Sequence, residues 1–235
     1  MAPVDHRDDS TRTRDYQANW KQIVAIAIRL ALGALTIGVG ATVIGHFVLG
    51  PGRSSRPTSP AVQFSGPVFP TGLRAASFSL TDQDGKRVTL AQYRGKVVVL
   101  SFMYSHSPDI APLMATEIRG ALDQLPANGR RVPVLAITLD PANDTPASAR
   151  AFLVREQMTG RMAFLLGRIA QLRPLWRRYA IQPVFDPAGH RYRYGYSAYV
   201  MLIDRRGFLK VGFPAAQLVP EDLAHDLKLL LAPSG

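Results

Sequence analysis

Two near-continuous apolar runs, Val97 to Met103 and Val132 to Leu139, restrict this chain more than any other feature. Each is the length of one strand, is rich in β-branched residues, and fails to alternate apolar with polar positions. A strand of that kind is buried on both faces, so it belongs in the middle of a sheet that carries helices on either side. Between the two runs lies Ile110 to Leu125, which has helical spacing. The pattern therefore points to an α/β architecture.

The remaining elements extend that pattern. Phe78 to Leu80 and Val88 to Leu90, on either side of the Asp84-Gly85 turn, predict a short hairpin. Asp144-Thr145-Pro146 opens a helix that runs to Gln157, Phe164 to Leu166 reads as a short strand, and Ile169 to Tyr179 is helical again. Arg191 to Asp204, broken near Gly195, and Phe208 to Phe213 form two strands about the Arg205-Arg206-Gly207 turn. Pro220 to Leu231 closes the chain as an amphipathic helix with Leu223, Leu227, Leu230 and Leu231 on one side. The expected fold is a thioredoxin-like central mixed sheet flanked by helices. With 235 residues, the chain has room for one such domain, at 72–235, and for extra segments before it.

Those segments are distinct in composition. Residues 1–22 form a tail that includes Arg7, Arg12, Arg14 and Lys21, and residues 23–49 are almost wholly apolar. Leu30 to Leu49 alone supplies about 20 residues, enough to cross a ~30 Å hydrocarbon core as a helix. This predicts a single transmembrane anchor held by membrane lipid, with Arg29 snorkelling to the headgroups and the basic tail on the cytoplasmic side. The stretch is too long for a signal-peptide core, and no Ala-x-Ala site precedes Pro51. Residues 50–71, rich in Pro, Ser and Gly, read as a tether.

The formal net charge is +11. Behind a membrane the charge fits anionic headgroups or an acidic protein partner, and nucleic acid is not expected. The chain has no cysteine. Disulfide exchange and soft thiolate metal sites need sulfur itself, and a serine hydroxyl replaces neither.

Four phrases carry a family resemblance: Leu80-Thr-Asp-Gln-Asp-Gly85, Tyr93-Arg-Gly-Lys96, Tyr104-Ser-His-Ser-Pro-Asp-Ile-Ala-Pro112 and Leu139-Asp-Pro-Ala-Asn-Asp-Thr-Pro146. Together they resemble the Sco/SenC family from about Phe78 to Leu230, with the Asp-Pro-x-x-Asp-Thr-Pro element the most discriminating. The resemblance implies a membrane-tethered protein of the bacterial inner membrane, its domain in the periplasm, that assists maturation of the copper centre of cytochrome c oxidase. Its expected partners are an oxidase subunit or an intact Sco protein. The family's copper ligands are two cysteines and a distant histidine, and by position they match Ser107, Ala111 and Tyr196. The resemblance thus implies a degenerate metal site, with no cofactor and no catalytic residues expected, and function by binding.

Ser107 before Pro108 reads as a helix start, the hydroxyl capping a backbone N–H and the proline at the first helical position. Tyr192, Tyr194 and Tyr196 share one face of their strand, and Tyr196 is expected to fill the space released at Ser107 and Ala111. The donors for a rebuilt copper site are Met103, His106, Met114 and His190, which lack a recognisable ligand spacing. Ser105, His106, Ser107 and Asp109 crowd together, but sequence neighbours on one turn diverge and do not form a hydrolase triad. Asp140 and Asp144 read as turn and capping residues. Arg168, Arg173, Arg177 and Arg178 on one helix, with Arg191, Arg193, Arg205 and Arg206 on the late hairpin, form a basic surface.

Overall fold

The computed structural model describes residues 63–127, 131–181 and 198–233. Everything described lies in one compact unit, Pro60–Gly235. The apolar segment 23–49, residues 191–197 of the strand expected over 191–204, and Tyr196 and His190 fall outside the described residues. Among the described residues no helix is long and apolar enough to cross a membrane.

Strand β3 (Val98–Met103) is the centre of the molecule, because both of its faces are sealed. Val99 and Met103 enter one apolar cluster, while Val98, Leu100 and Phe102 enter the other, and every residue of the strand is buried. β3 pairs in parallel with β4 (Val134–Thr138), which pairs in parallel with β5 (Met162–Leu165). On its other side β3 pairs antiparallel with β6 (Tyr199–Ile203), and β6 pairs antiparallel with β7 (Leu209–Pro214). The order β5-β4-β3-β6-β7 is the mixed sheet that the two apolar runs demanded. The hairpin of β1 (Ser79–Thr81) and β2 (Arg87–Thr89) is separate from it.

Helices α1 (Ile110–Asp123), α2 (Pro146–Arg155) and α4 (Pro220–Leu231) cover one face of the sheet. Helix α3 (Ile169–Arg178) and the hairpin cover the other, where Leu172, Leu175 and Trp176 join Leu80 and Val88. Each fully buried large apolar side chain stabilises the fold by roughly 1.5–3 kcal/mol relative to its exposed state. Phe102, Phe152 and Phe164 are the bulkiest of these.

The tether expected over 50–71 is docked on the domain from residue 63 onward. Phe69 N–H donates to Lys210 O at 2.9 Å, Gly212 N–H to Pro67 O at 2.9 Å, and Leu209 N–H to Leu73 O at 2.8 Å. The strap so formed runs along the free edge of β7 and makes isolated bridges at Val68 with Val211 and Arg74 with Phe208. At its start, Ser65 and Gly66 N–H groups donate to the fully buried Asp226 carboxylate at 2.7 and 3.1 Å. Glycine makes the approach possible. A Cβ on Gly212 would come within 2.7 Å of the Phe69 ring, and one on Gly66 within 2.6 Å of Val211. One of these glycines lies in the segment that reads as a tether and the other in β7, and both are residues of close contact.

Candidate functional site

At the end of β3 the chain turns through Tyr104 to Asp109 into α1, and two short polar side chains hold the turn. Asp109 is the N-cap, its carboxylate accepting from Ile110 N–H at 2.6 Å. Helix α1 therefore starts two residues later than Ser107-Pro108 suggested, with Pro108 ahead of the cap. Ser107, 4% exposed, still satisfies a helical donor: its Oγ accepts from Ala111 N–H at 3.2 Å. Between them, the two side chains serve two of the orphan N–H groups of the first turn.

Ser107 and Ala111, which the resemblance matches to the family's two cysteines, are thus joined to each other. Ala111 is fully buried in the same cluster as Met103 and Met114. A methyl group has no lone pair, and a protonated hydroxyl facing a backbone N–H is a hard, weak donor. Neither fits copper(I), which prefers thiolate and thioether sulfur. The remaining candidate donors are divided. Met103 and Met114 have no exposure and sit in the core, whereas the side chain of His106 is 57% exposed and faces Asp144. Among the described residues no three His, Asp or Glu side chains gather as a metal site.

Behind Ser105 lies a buried polar cluster that the residue-by-residue reading missed. Asp144 Oδ1 accepts from both the Ser105 N–H at 2.9 Å and the Ser105 hydroxyl at 2.6 Å. Its Oδ2 accepts from the Thr138 hydroxyl at 2.5 Å, and Thr138 Oγ1 in turn accepts from Asp140 N–H at 2.9 Å. Arg155 closes the loop by donating to Ser105 O at 3.2 Å. Asp144 therefore ties the β3 loop to the end of β4 and is not a helix cap. Thr145 caps α2, accepting from Ser148 N–H at 3.1 Å. Asp140 is the turn residue expected, accepting from the backbone and side-chain amides of Asn143. Burial pushes the Asp144 carboxyl above the ordinary carboxylate range, and the nearby Asp140 charge adds to this; the hydrogen bonds from Ser105 and Thr138 pull against both. A hydroxyl at the end of an apolar strand, followed by the Asp-Pro-x-x-Asp-Thr-Pro phrase, was the available signal.

The cluster is not a hydrolase. His106 Nδ1 stands 3.1 Å from Ser105 Oγ and 3.7 Å from Asp144 Oδ1, so one ring nitrogen faces both groups. A triad needs the imidazole between serine and carboxylate, with a different nitrogen toward each. Ser105 is also only 2% exposed, and it spends its proton on Asp144. The expected contact of Tyr196 with Ser107 and Ala111 lies outside the described residues.

The chain matches the SCO1/SenC family over residues 71–232. Protein SCO1 homolog 2, mitochondrial, of Arabidopsis thaliana is 34% identical over 106 residues, covering 44% of this chain and 37% of that protein. Protein sco1 of Schizosaccharomyces pombe is 28% identical over 141 residues, covering 57% of this chain and 53% of that protein. The matches thus span about half or less of these relatives. The solved structure of Bradyrhizobium japonicum ScoI with copper bound has a TM-score of 0.60 and 30% identity, covering 67% of this chain and 99% of that one. The mixed sheet with its two helical layers is accordingly the thioredoxin-type fold of these proteins, and the chain belongs to the SCO1/SenC family.

Proposed function

We propose that this protein is a membrane-tethered SCO1/SenC member that serves assembly of the copper centre of cytochrome c oxidase by binding another protein. It does so without copper at the family's ligand positions and without thiol redox chemistry. The observation that carries the reading is the bond between Ser107 and Ala111: at the two positions matched to cysteines, the structure has a hydroxyl bonded to a helical N–H and a buried methyl. The complete lack of cysteine supports the second part, since dithiol exchange needs two sulfurs. In this reading residues 23–49 anchor the chain in a bacterial inner membrane with the N-terminus cytoplasmic and the domain periplasmic. The partner is an oxidase subunit or an intact Sco protein.

Copper(I) titration of the full chain against a competing chelator tests the proposal. No stoichiometric binding is expected at micromolar copper, and capture of oxidase subunits should survive strong chelation. One bound equivalent, lost on replacing Met103, His106, Met114 or His190, together with chelator-sensitive capture, would instead establish a copper-delivery protein with a rebuilt Met/His site.

A further inference from the structure

At the other end of β3 from Ser107, a cavity of about 460 Å³ opens between the Leu73–Ser77 segment, the turn before β3 and the β6–β7 turn. Leu73, Leu90, Val98 and Ile203 give it apolar walls, and Arg74, Arg94, Lys96, Arg178 and Arg205 line it as well. The one carboxylate among the lining residues, Asp204, accepts from the Arg206 and Phe208 N–H groups at 3.0 and 2.8 Å. None of the five cations pairs with a carboxylate among the described residues. Arg94 donates to Arg206 O, Arg205 donates to Leu231 and Ala232 O, and Arg74 lies over the Phe208 ring. Lys96 and Arg178 are exposed, and their side chains have no partner among the described residues.

A concave wall of low dielectric with cations of one sign focuses a positive potential. The concavity is also elongated. A second cavity of about 280 Å³ shares Ala76, Ser77 and Arg178 with the first and continues beside α3 toward Leu80. Ser77 lines both cavities, and no hydrogen bond joins its backbone to the described residues. An open N–H and C=O in the wall of a groove are what an extended chain pairs with. A membrane surface presents charge on a plane and does not reach an apolar floor, whereas an extended peptide directs alternate side chains to floor and rim.

We infer that this groove docks an extended acidic segment of a partner protein, with apolar side chains on the floor and carboxylates at Lys96 and Arg178. The inference rests on the fold and not on the fate of the copper ligands, so copper titration and peptide binding succeed or fail separately.

The test uses the full chain in phosphatidylcholine nanodiscs and a labelled peptide that alternates Glu and Leu, read by fluorescence anisotropy. Saturable, salt-sensitive binding is expected. The double change Lys96→Glu and Arg178→Glu should weaken it at least about tenfold, while Arg173→Glu, outside the groove on the same helix, should change it less than about twofold. If the charge reversal disturbs thermal melting, Lys96→Gln with Arg178→Gln takes its place, and Ser77→Pro, which removes the free N–H, should also weaken binding. Equal affinity for a Lys-Leu peptide, or no effect of the groove substitutions, overturns the inference. So does a groove-dependent affinity for phosphatidylglycerol vesicles in the absence of peptide binding.

Discussion

Asp144 holds the ends of two neighbouring parallel strands, β3 and β4, together through a carboxylate whose side chain has no exposure. Its folded-state pKa is raised, so the protonated form is the one favoured by folding. The resulting stabilisation is present in full below the unfolded value near 3.8 and is lost as pH rises through the raised folded value. Asp144→Asn removes that titration. Between about pH 3 and pH 7 the wild-type chain should lose stability relative to Asp144→Asn, read as the difference in urea midpoint, with each unit of displacement worth about 1.4 kcal/mol. A difference that stays flat across that range contradicts the account. Asp226 is also raised, chiefly by burial, but it is common to both proteins and cancels. Asp144→Ala should cost about 3 kcal/mol, because it strands the Ser105 N–H and two buried hydroxyls without their acceptor. That the Ser107 hydroxyl serves a helical N–H was legible from its neighbours, since such bonds are local, whereas the cap itself fell to Asp109 and left Pro108 outside the helix. The role of Asp144 was not legible, because its main partner, Ser105, lies 39 positions away and a turn residue looks sufficient by itself.

Helices α2 and α3 end in the same way, and neither end carries the usual glycine. Gln157 and Ala180 adopt left-handed conformations, with φ of 58° and 54°. At each end the next residue reaches back, Met158 N–H to Leu153 O and Ile181 N–H to Trp176 O, both at 2.8 Å. With Gln157 N–H to Val154 O and Ala180 N–H to Arg177 O, both at 3.1 Å, these bonds form the Schellman closure, where a Cβ is a steric cost. Gln157→Gly and Ala180→Gly should each stabilise the protein by about 0.5–1 kcal/mol in urea unfolding, once the greater freedom of unfolded glycine is deducted. Destabilisation by either would mean that the side chain makes a contact worth more than the strain. The missing glycines also explain why the two helices read slightly too long in the sequence, to Gln157 and Tyr179. Helix α4, opened by Pro220, has the bounds its sequence indicates. Strand β5 begins two residues before its expected start, because Met162 and Ala163 pair with Val134 and Leu135. Such pairing is a property of the sheet and leaves little trace in the strand's own residues.

At the scale of the molecule, the α/β order followed directly from apolar patterning, since only a doubly covered sheet accommodates β3 and β4. The strap did not follow. Its backbone bonds go to β7 and its anchor is a single carboxylate in α4, whereas its own composition is that of a linker. Without the strap, β7 would be a bare edge, because it ends the strand order. The family match begins at residue 71 and the apparent domain start is Gly72, so either boundary discards Ser65 and Gly66. A domain begun at Gly72 should therefore strip Asp226 of its two donors and expose the β7 backbone to other copies. Light scattering on a size-exclusion column should show concentration-dependent association for that form, against a monomer for one begun at Pro60. Identical elution and melting would contradict this. The shortest form that stays in solution at high concentration is thus set by what Asp226 must grasp, and aggregation, not loss of fold, should be the first sign that too much was trimmed.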